Sequence, residues 1–279
     1  YSYLWVRGFG RPGDFTNRVL LQLNGHRMND NVYGGGYWLH DGTFDIRTVE
    51  RIEVIKGPGS ALHGDNAVFA VVNVITKRAG KAPLVEAAAE IGSYRTHKEF
   101  LGISRVFKDG SGLYAAGAAR LMGGQDLRSP AFAAANGGVF ENGDREESYT
   151  LYSLYERRGL LVHGSASNRN KRIPTGSYGT LFNDNGSYTN DARSFLEAAG
   201  EKPLGRNWTL NARGYWDWYR YDADYVYVHD APNKDLGRNQ WVGEEVRATY
   251  AGWGRDNTFM IGQDGEKNLE ALQRNHTEM

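Results

Sequence analysis

The chain has 279 residues, and its 33 basic and 33 acidic side chains cancel to a formal net charge of zero. That balance argues against a nucleic-acid binder, which carries a basic excess, and 40% hydrophobic residues is too rich for a chain without a core. With no cysteine, a disulfide scaffold, thiol catalysis and thiolate metal sites are excluded.

No run approaches the ~20 apolar residues that a membrane helix needs. The most apolar stretch, 67–75, is short and interrupted by Asn73, so any membrane role falls to strands or to the surface. Glycine is the outlier at 36 residues, accompanied by 17 Tyr and 7 Trp. Glycine with amphipathic aromatics suits β-structure with tight turns at a water–lipid boundary. The chain opens on Tyr1-Ser2-Tyr3-Leu4-Trp5 with no start Met and no signal peptide, and it stops in polar residues just after a strand-like pattern. It reads as an internal segment of a longer protein.

In chain order, residues 19–23 read as a buried strand, and Asn24-Gly25 is a strong short-hairpin signal. Asp45 is placed to cap a brief helical turn through Val49. Residues 51–55 alternate as a strand that Gly57-Pro58-Gly59 breaks. Ser60 is placed to cap another helical turn ended by Gly64, and 70–76 is a β-branched strand. Together these make a small mixed α/β unit, with 77–83 as a linker.

From Leu84 onward, strands of period two repeat. In the clearest, Trp208, Leu210, Ala212, Gly214, Trp216 and Trp218 oppose Thr209, Asn211, Arg213, Tyr215, Asp217 and Tyr219. The expectation is that the tryptophans point outward and that Arg213, Tyr215 and Asp217 point inward. Weaker candidate strands lie near 97–107, 113–122, 147–158, 194–202, 240–250 and 257–263. Turns are short at 108–112 and 159, and long polar loops are expected at 123–146, 170–192 and 222–239. Short turns on one side and long loops on the other are the habit of outer-membrane barrels. Trp208, Tyr215, Trp216, Trp218, Tyr219, Tyr221, Tyr225 and Tyr227 read as an interfacial girdle. A soluble β-sandwich with one buried face fits the same alternation and stays open.

Four motifs then fall in order: Val6-Arg7-Gly8-Phe9-Gly10, Arg18 to Gly25, Glu50 to Gly64, and Val72 to Lys77. In that order and spacing they resemble the plug domain of TonB-dependent outer-membrane transporters, and Glu50 to Gly64 is the most specific stretch. The resemblance implies a small α+β plug domain over 1–80, its N-terminal part missing. The first eight or nine antiparallel transmembrane β-barrel strands follow over 81–279, from an incomplete barrel of about 22 strands.

The resemblance also implies roles. Arg7 and Lys56 stand where the family has basic plug residues that pair with barrel glutamates, and Arg51 and Glu53 join them as expected plug–barrel ionic contacts. Where the family usually has Arg, Lys56 lacks the bidentate fork. Ordinary solvated charges are the alternative reading. Gly13 and Tyr33 stand near the family's ligand-touching apices, with Trp38 and His40 in the same Gly-rich loop, 29–44; packing of that loop on the wall is the other reading. The implied function is energy-coupled uptake of a scarce bulky ligand, such as a ferric siderophore or cobalamin, across a Gram-negative outer membrane. The implied partners are TonB with its inner-membrane energising complex, reached through a missing N-terminal segment, and outer-membrane lipid. A soluble carbohydrate- or partner-binding β-domain is the rival.

No catalytic constellation accompanies these motifs, so the chain reads as a non-enzyme without cofactor. Gly57-Pro58-Gly59-Ser60 lacks the Lys of a phosphate loop, the seven histidines have no ligand spacing, and the Asn142-Gly143-Asp144 and Asp184-Asn185-Gly186 loops lack a calcium register.

Overall fold

The two textures of the chain become two sheets. In the computed structural model, residues 3–8, 10, 13–37, 42–173, 176–228, 231–253 and 257–277 are described. The first sheet contains β1 (Val19–Leu23), β2 (His26–Arg27), β3 (Val49–Lys56) and β4 (Ala70–Thr76) in the order β2-β1-β4-β3. Strands β1 and β4 run parallel and the other pairs antiparallel. The Asp45 side chain accepts from the Arg47 amide and caps a short 3-10 turn, Ile46–Thr48, as its position predicts. Ser60 instead opens the one-turn helix α1 (Ser60–His63), with Gly59 at the cap and Gly64 ending it at φ 75°.

Residues 70–76 are apolar on both faces because both faces are covered. Val71 packs with Leu20 and Ala67. On the opposite face, Val74 joins Leu21 and Leu23 against Phe100, Tyr114, Tyr152, Leu154 and Phe195 of the second sheet. The core is thus the seam between the sheets.

The second sheet is a nine-stranded antiparallel meander. Its strands are β5 (Val85–Gly92), β6 (Thr96–Val106), β7 (Gly112–Met122), β10 (Glu146–Arg157), β11 (Leu160–Arg172), β12 (Tyr188–Leu204), β13 (Trp208–Val228), β14 (Ala231–Trp253) and β15 (Asn257–Thr277). A separate hairpin of β8 (Leu127–Arg128) and β9 (Val139–Phe140) sits in the 123–145 connection. The loops 123–145 and 176–187 emerge from one end and pack together, Phe182 stacking on Phe132 at 4.5 Å and meeting Phe140 edge-on at 5.6 Å. Of the expected third long loop, 222–239, residues 222–228 and 231–239 are instead strand. Asp222 pairs with Leu236 and Ala223 with Asp235, so polar side chains that read as a loop belong to the ends of β13 and β14.

The sheet's polarity is inverted relative to a soluble fold. Its plug-facing side buries Glu146, His163, Arg169, Arg193, Glu197, Asp217 and Asn239. Its far side exposes Leu101, Ile103, Leu151, Leu196, Val246 and Ile261, Leu151 to 64%. Period-two alternation carries both sets on the same strands. Asp217 is fully buried, and Trp216 lies opposite Leu196 and Val242 on the other face. The register therefore puts the tryptophans outward, as the alternation predicts. The expected girdle splits: Tyr215, Tyr219, Tyr221 and Tyr225 have the opposite parity and turn toward the plug, where they pack with Tyr33 and Tyr37.

Among the described residues, no helix is long and apolar enough to cross a membrane, which leaves crossing by strands untouched.

Candidate functional site

The Asn24-Gly25 turn aims the plug at the wall. Both residues have positive φ, 52° and 89°, in the two-residue loop that joins Leu23 to His26. That conformation suits Asn and Gly and matches the twist of the flanking strands. Asn24 then uses its whole amide. Its Nδ2 donates to Tyr152 Oη at 2.7 Å and Thr76 Oγ1 at 2.8 Å, and its Oδ1 accepts from the Thr76 amide at 3.0 Å. The Gly25 carbonyl accepts from Arg213 Nη1 at 2.9 Å.

His26 follows and is buried in the wall. Its Nδ1 lies 2.8 Å from Glu197 Oε2 and its Nε2 lies 3.2 Å from Asp217, while its ring stacks on Phe195 at 4.1 Å. Burial opposes a charge on the imidazole, but Asp217 and Glu197 outweigh it and raise the pKa above the usual histidine value. Arg193 is buried beside it, donating to Asp217 at 2.8 Å, to the Arg27 carbonyl at 3.2 Å and to the Met28 carbonyl. More exposed pairs join the plug and the residues that follow it to strands β5 and β6, at one edge of the sheet. Arg47 meets Glu90 at 2.6 Å, Lys77 meets Glu86 at 2.8 Å, and Asp45 meets Lys98 at 2.8 Å.

Toward the long-loop end, plug and wall part around a cavity of about 470 Å³. The plug lines it with Phe15, Tyr33 and Tyr37, and the wall with Lys171, Arg172, Tyr219, Tyr221 and Tyr225. Tyr37 and Tyr219 share a hydroxyl contact at 3.0 Å, Tyr221 and Tyr225 one at 2.7 Å, and Tyr33 meets Tyr221 edge-on at 6.0 Å. Asp30 shapes the loop that presents Tyr33 and Tyr37, accepting from the amides of Val32, Tyr33 and Gly35 at 2.7–2.8 Å. Burial pushes the Tyr33 and Tyr37 phenols up, so both remain neutral donors near neutral pH. A wall of phenol rings and hydroxyls offers stacking and hydrogen bonds to a bulky ligand with both apolar and polar surface.

Of the expected ligand residues, Tyr33 lies in this cavity. Gly13 is exposed at φ 91° outside its lining, and Trp38 and His40 lie outside the described residues. Of the expected ionic contacts, Arg7 and Lys56 are exposed and make no ion pair with the described strands. Arg51 and Glu53 pair with each other at 2.8 Å on the exposed strand β3. The described wall instead engages Asn24, His26, Arg47, Lys77 and Arg78, none of them among the expected plug–barrel contacts. One signal was available: Arg193, Glu197, Arg213 and Asp217 are charges at inward positions of period-two strands, and such charges need partners. Among the described residues, no group of three or more His, Asp or Glu side chains is arranged to hold a metal ion.

Residues 1–71 match the family model described as TonB-dependent Receptor Plug Domain. The vitamin B12 transporter BtuB of Vibrio vulnificus (strain CMCP6) is 27% identical over 271 residues, 97% of this chain and 37% of that protein. The ferrichrome outer membrane transporter/phage receptor of Escherichia coli (strain K12) is 31% identical over 93 residues, covering 33% of this chain and 11% of that one. The ferric yersiniabactin uptake receptor FyuA of Yersinia pestis superposes with a TM-score of 0.64 at 16% identity, over 94% of this chain and 41% of that one. The pyoverdine receptor FpvA of Pseudomonas aeruginosa superposes with the same score at 15% identity, over 88% and 39%. The chain thus spans about two-fifths of the length of BtuB, FyuA and FpvA. With a plug sheet seated on an antiparallel wall, and a plug sequence over residues 1–71 that fits the family model, the chain resembles a segment of the TonB-dependent receptors.

Proposed function

We propose that this chain supplies the plug and the first wall strands of an outer-membrane transporter for a scarce bulky ligand, a ferric siderophore or a cobalamin-like chelate. The tyrosine-lined cavity carries the proposal. Because Tyr33 and Tyr37 come from the plug and Tyr219, Tyr221 and Tyr225 from the wall, one ligand touches both bodies at once. Its binding is thereby coupled to the plug position, as a gated transporter requires. The far side of the sheet, with its exposed Leu101, Leu151, Leu196 and Trp208, would face outer-membrane lipid, and the long-loop end would face the exterior. TonB, energised from the inner membrane, would supply the pull that moves the plug. Chemistry on the cargo has no part in this scheme.

The test is growth of a strain lacking the gene, on media in which a single ferric siderophore or cobalamin limits growth, with complementation by the parent and by Tyr33→Ala. The parent gene should restore growth on one such source, and Tyr33→Ala should need a higher concentration of it. Equal growth with and without the gene on every iron and cobalamin source would refute the proposal.

A further inference from the structure

We propose that His26 is a proton-operated latch, charged when the plug hairpin is seated and neutral when it lifts from the wall. The geometry carries the argument. The His26 side chain is 2% exposed, and both of its ring nitrogens meet a carboxylate: Glu197 at 2.8 Å and Asp217 at 3.2 Å, themselves 1% and 0% exposed. A neutral imidazole has one N–H and one lone pair. Between two buried carboxylates, the lone pair would face an oxygen that has nothing to donate. Only the imidazolium makes both contacts attractive.

The groups packed around the ring leave His26 as the plug's own charge in this pocket. On β12, Arg193 is committed to Asp217 and to the plug carbonyls of Arg27 and Met28. On β13, Arg213 lies 3.7 Å from Glu197 and 3.5 Å from Glu245, and Tyr215 meets the His26 ring edge-on at 5.4 Å. On β11, His163 lies 3.4 Å from Glu197, with Tyr152 of β10 3.5 Å behind it. Within the plug, Arg27 turns its guanidinium to Asn66 at 2.8 Å. Every other charge in contact with the two carboxylates belongs to the wall and stays there when the plug moves. The proton on His26 is the plug's contribution to that attraction.

The sign follows from linkage. A histidine whose pKa is higher seated than free stabilises seating fully below the free value of about 6.5. That stabilisation is lost as pH rises through the seated value, and between the two the opening constant grows up to about tenfold per pH unit. Seating therefore weakens on the alkaline side.

The experiment is hydrogen exchange of the Asn24 and Met28 amides, which bond to Val74 and Leu21 carbonyls. The protein is held in lipid vesicles between about pH 6 and pH 9, with each rate divided by the intrinsic chemical rate, and the parent is compared with His26→Gln. Nitrogen-15 spectra of the His26 ring are recorded alongside. The parent should show opening that rises with pH by up to about tenfold per unit, His26→Gln should be flat, and both ring nitrogens of the parent should carry protons at pH ~7. A flat parent, a slope that survives in His26→Gln, or a singly protonated ring at pH ~7 would each overturn the latch. The ring spectrum of the parent decides the matter even if the variant does not fold.

Discussion

Replacing Asn24 separates two tasks that one side chain performs. Its amide makes three hydrogen bonds, to Tyr152, to Thr76 Oγ1 and from the Thr76 backbone, while its backbone holds φ at 52°. In Asn24→Gly the left-handed turn survives and only the hydrogen bonds go. Three bonds at about 0.5–1.5 kcal/mol each, with the upper half of the range favoured by the orphaned amide of fully buried Thr76, give a loss of about 3–4 kcal/mol. Tyr152 keeps its contact with Thr76 Oγ1 at 3.1 Å, so it adds no second orphan. In Asn24→Ala the same bonds go and a methyl-bearing residue must hold positive φ, for a further loss of about 1 kcal/mol. Native-state hydrogen exchange at the Met28 amide reads both: opening should rise roughly a hundredfold or more in Asn24→Gly, and about fivefold beyond that in Asn24→Ala. If Asn24→Gly protects Met28 as well as the parent does, the turn is docked by its apolar neighbours, and the hydrogen-bond reasoning is wrong.

Arg193→Met should destabilise plug seating by about 3–5 kcal/mol, because it takes from fully buried Asp217 one of the two cations that meet it and leaves His26 alone, whereas Arg47→Gln, at a pair exposed at both ends, should leave denaturant stability unchanged. Equal effects of the two would mean that burial does not set the worth of these contacts. Leu151→Arg places a charge on the exposed far face of the sheet and should lower stability in lipid by about 2–4 kcal/mol if that position lies near the bilayer midplane. Undiminished assembly of Leu151→Arg into vesicles, judged by heat-dependent gel mobility, would show that this face does not meet lipid.

The sequence by itself determined which residues share a face. Alternation along 208–219 separates Trp216 and Trp218 from Arg213 and Asp217, and the structure keeps that separation, because a pleated strand offers a side chain two directions and no third. Local chemistry was equally legible: the Asn24-Gly25 turn and the Asp45 cap form where their residue types place them. Tertiary structure alone decided what stands opposite each face. Tyr219 and Tyr221 counted as girdle residues by composition, yet they close a cavity against Tyr33 and Tyr37, which lie more than 180 residues away in sequence. Polar residues at 222–239 read as a loop because nothing local says that another polar strand will pair with them. Among the expected ionic contacts, Arg51 and Glu53 found each other and not the described wall. His26, one histidine among seven, took the central position through carboxylates 171 and 191 residues distant. Periodicity fixes direction at the range of one residue, whereas electrostatic partners are chosen at a few ångströms in space, and only the folded chain brings Glu197 and Asp217 within that distance of His26.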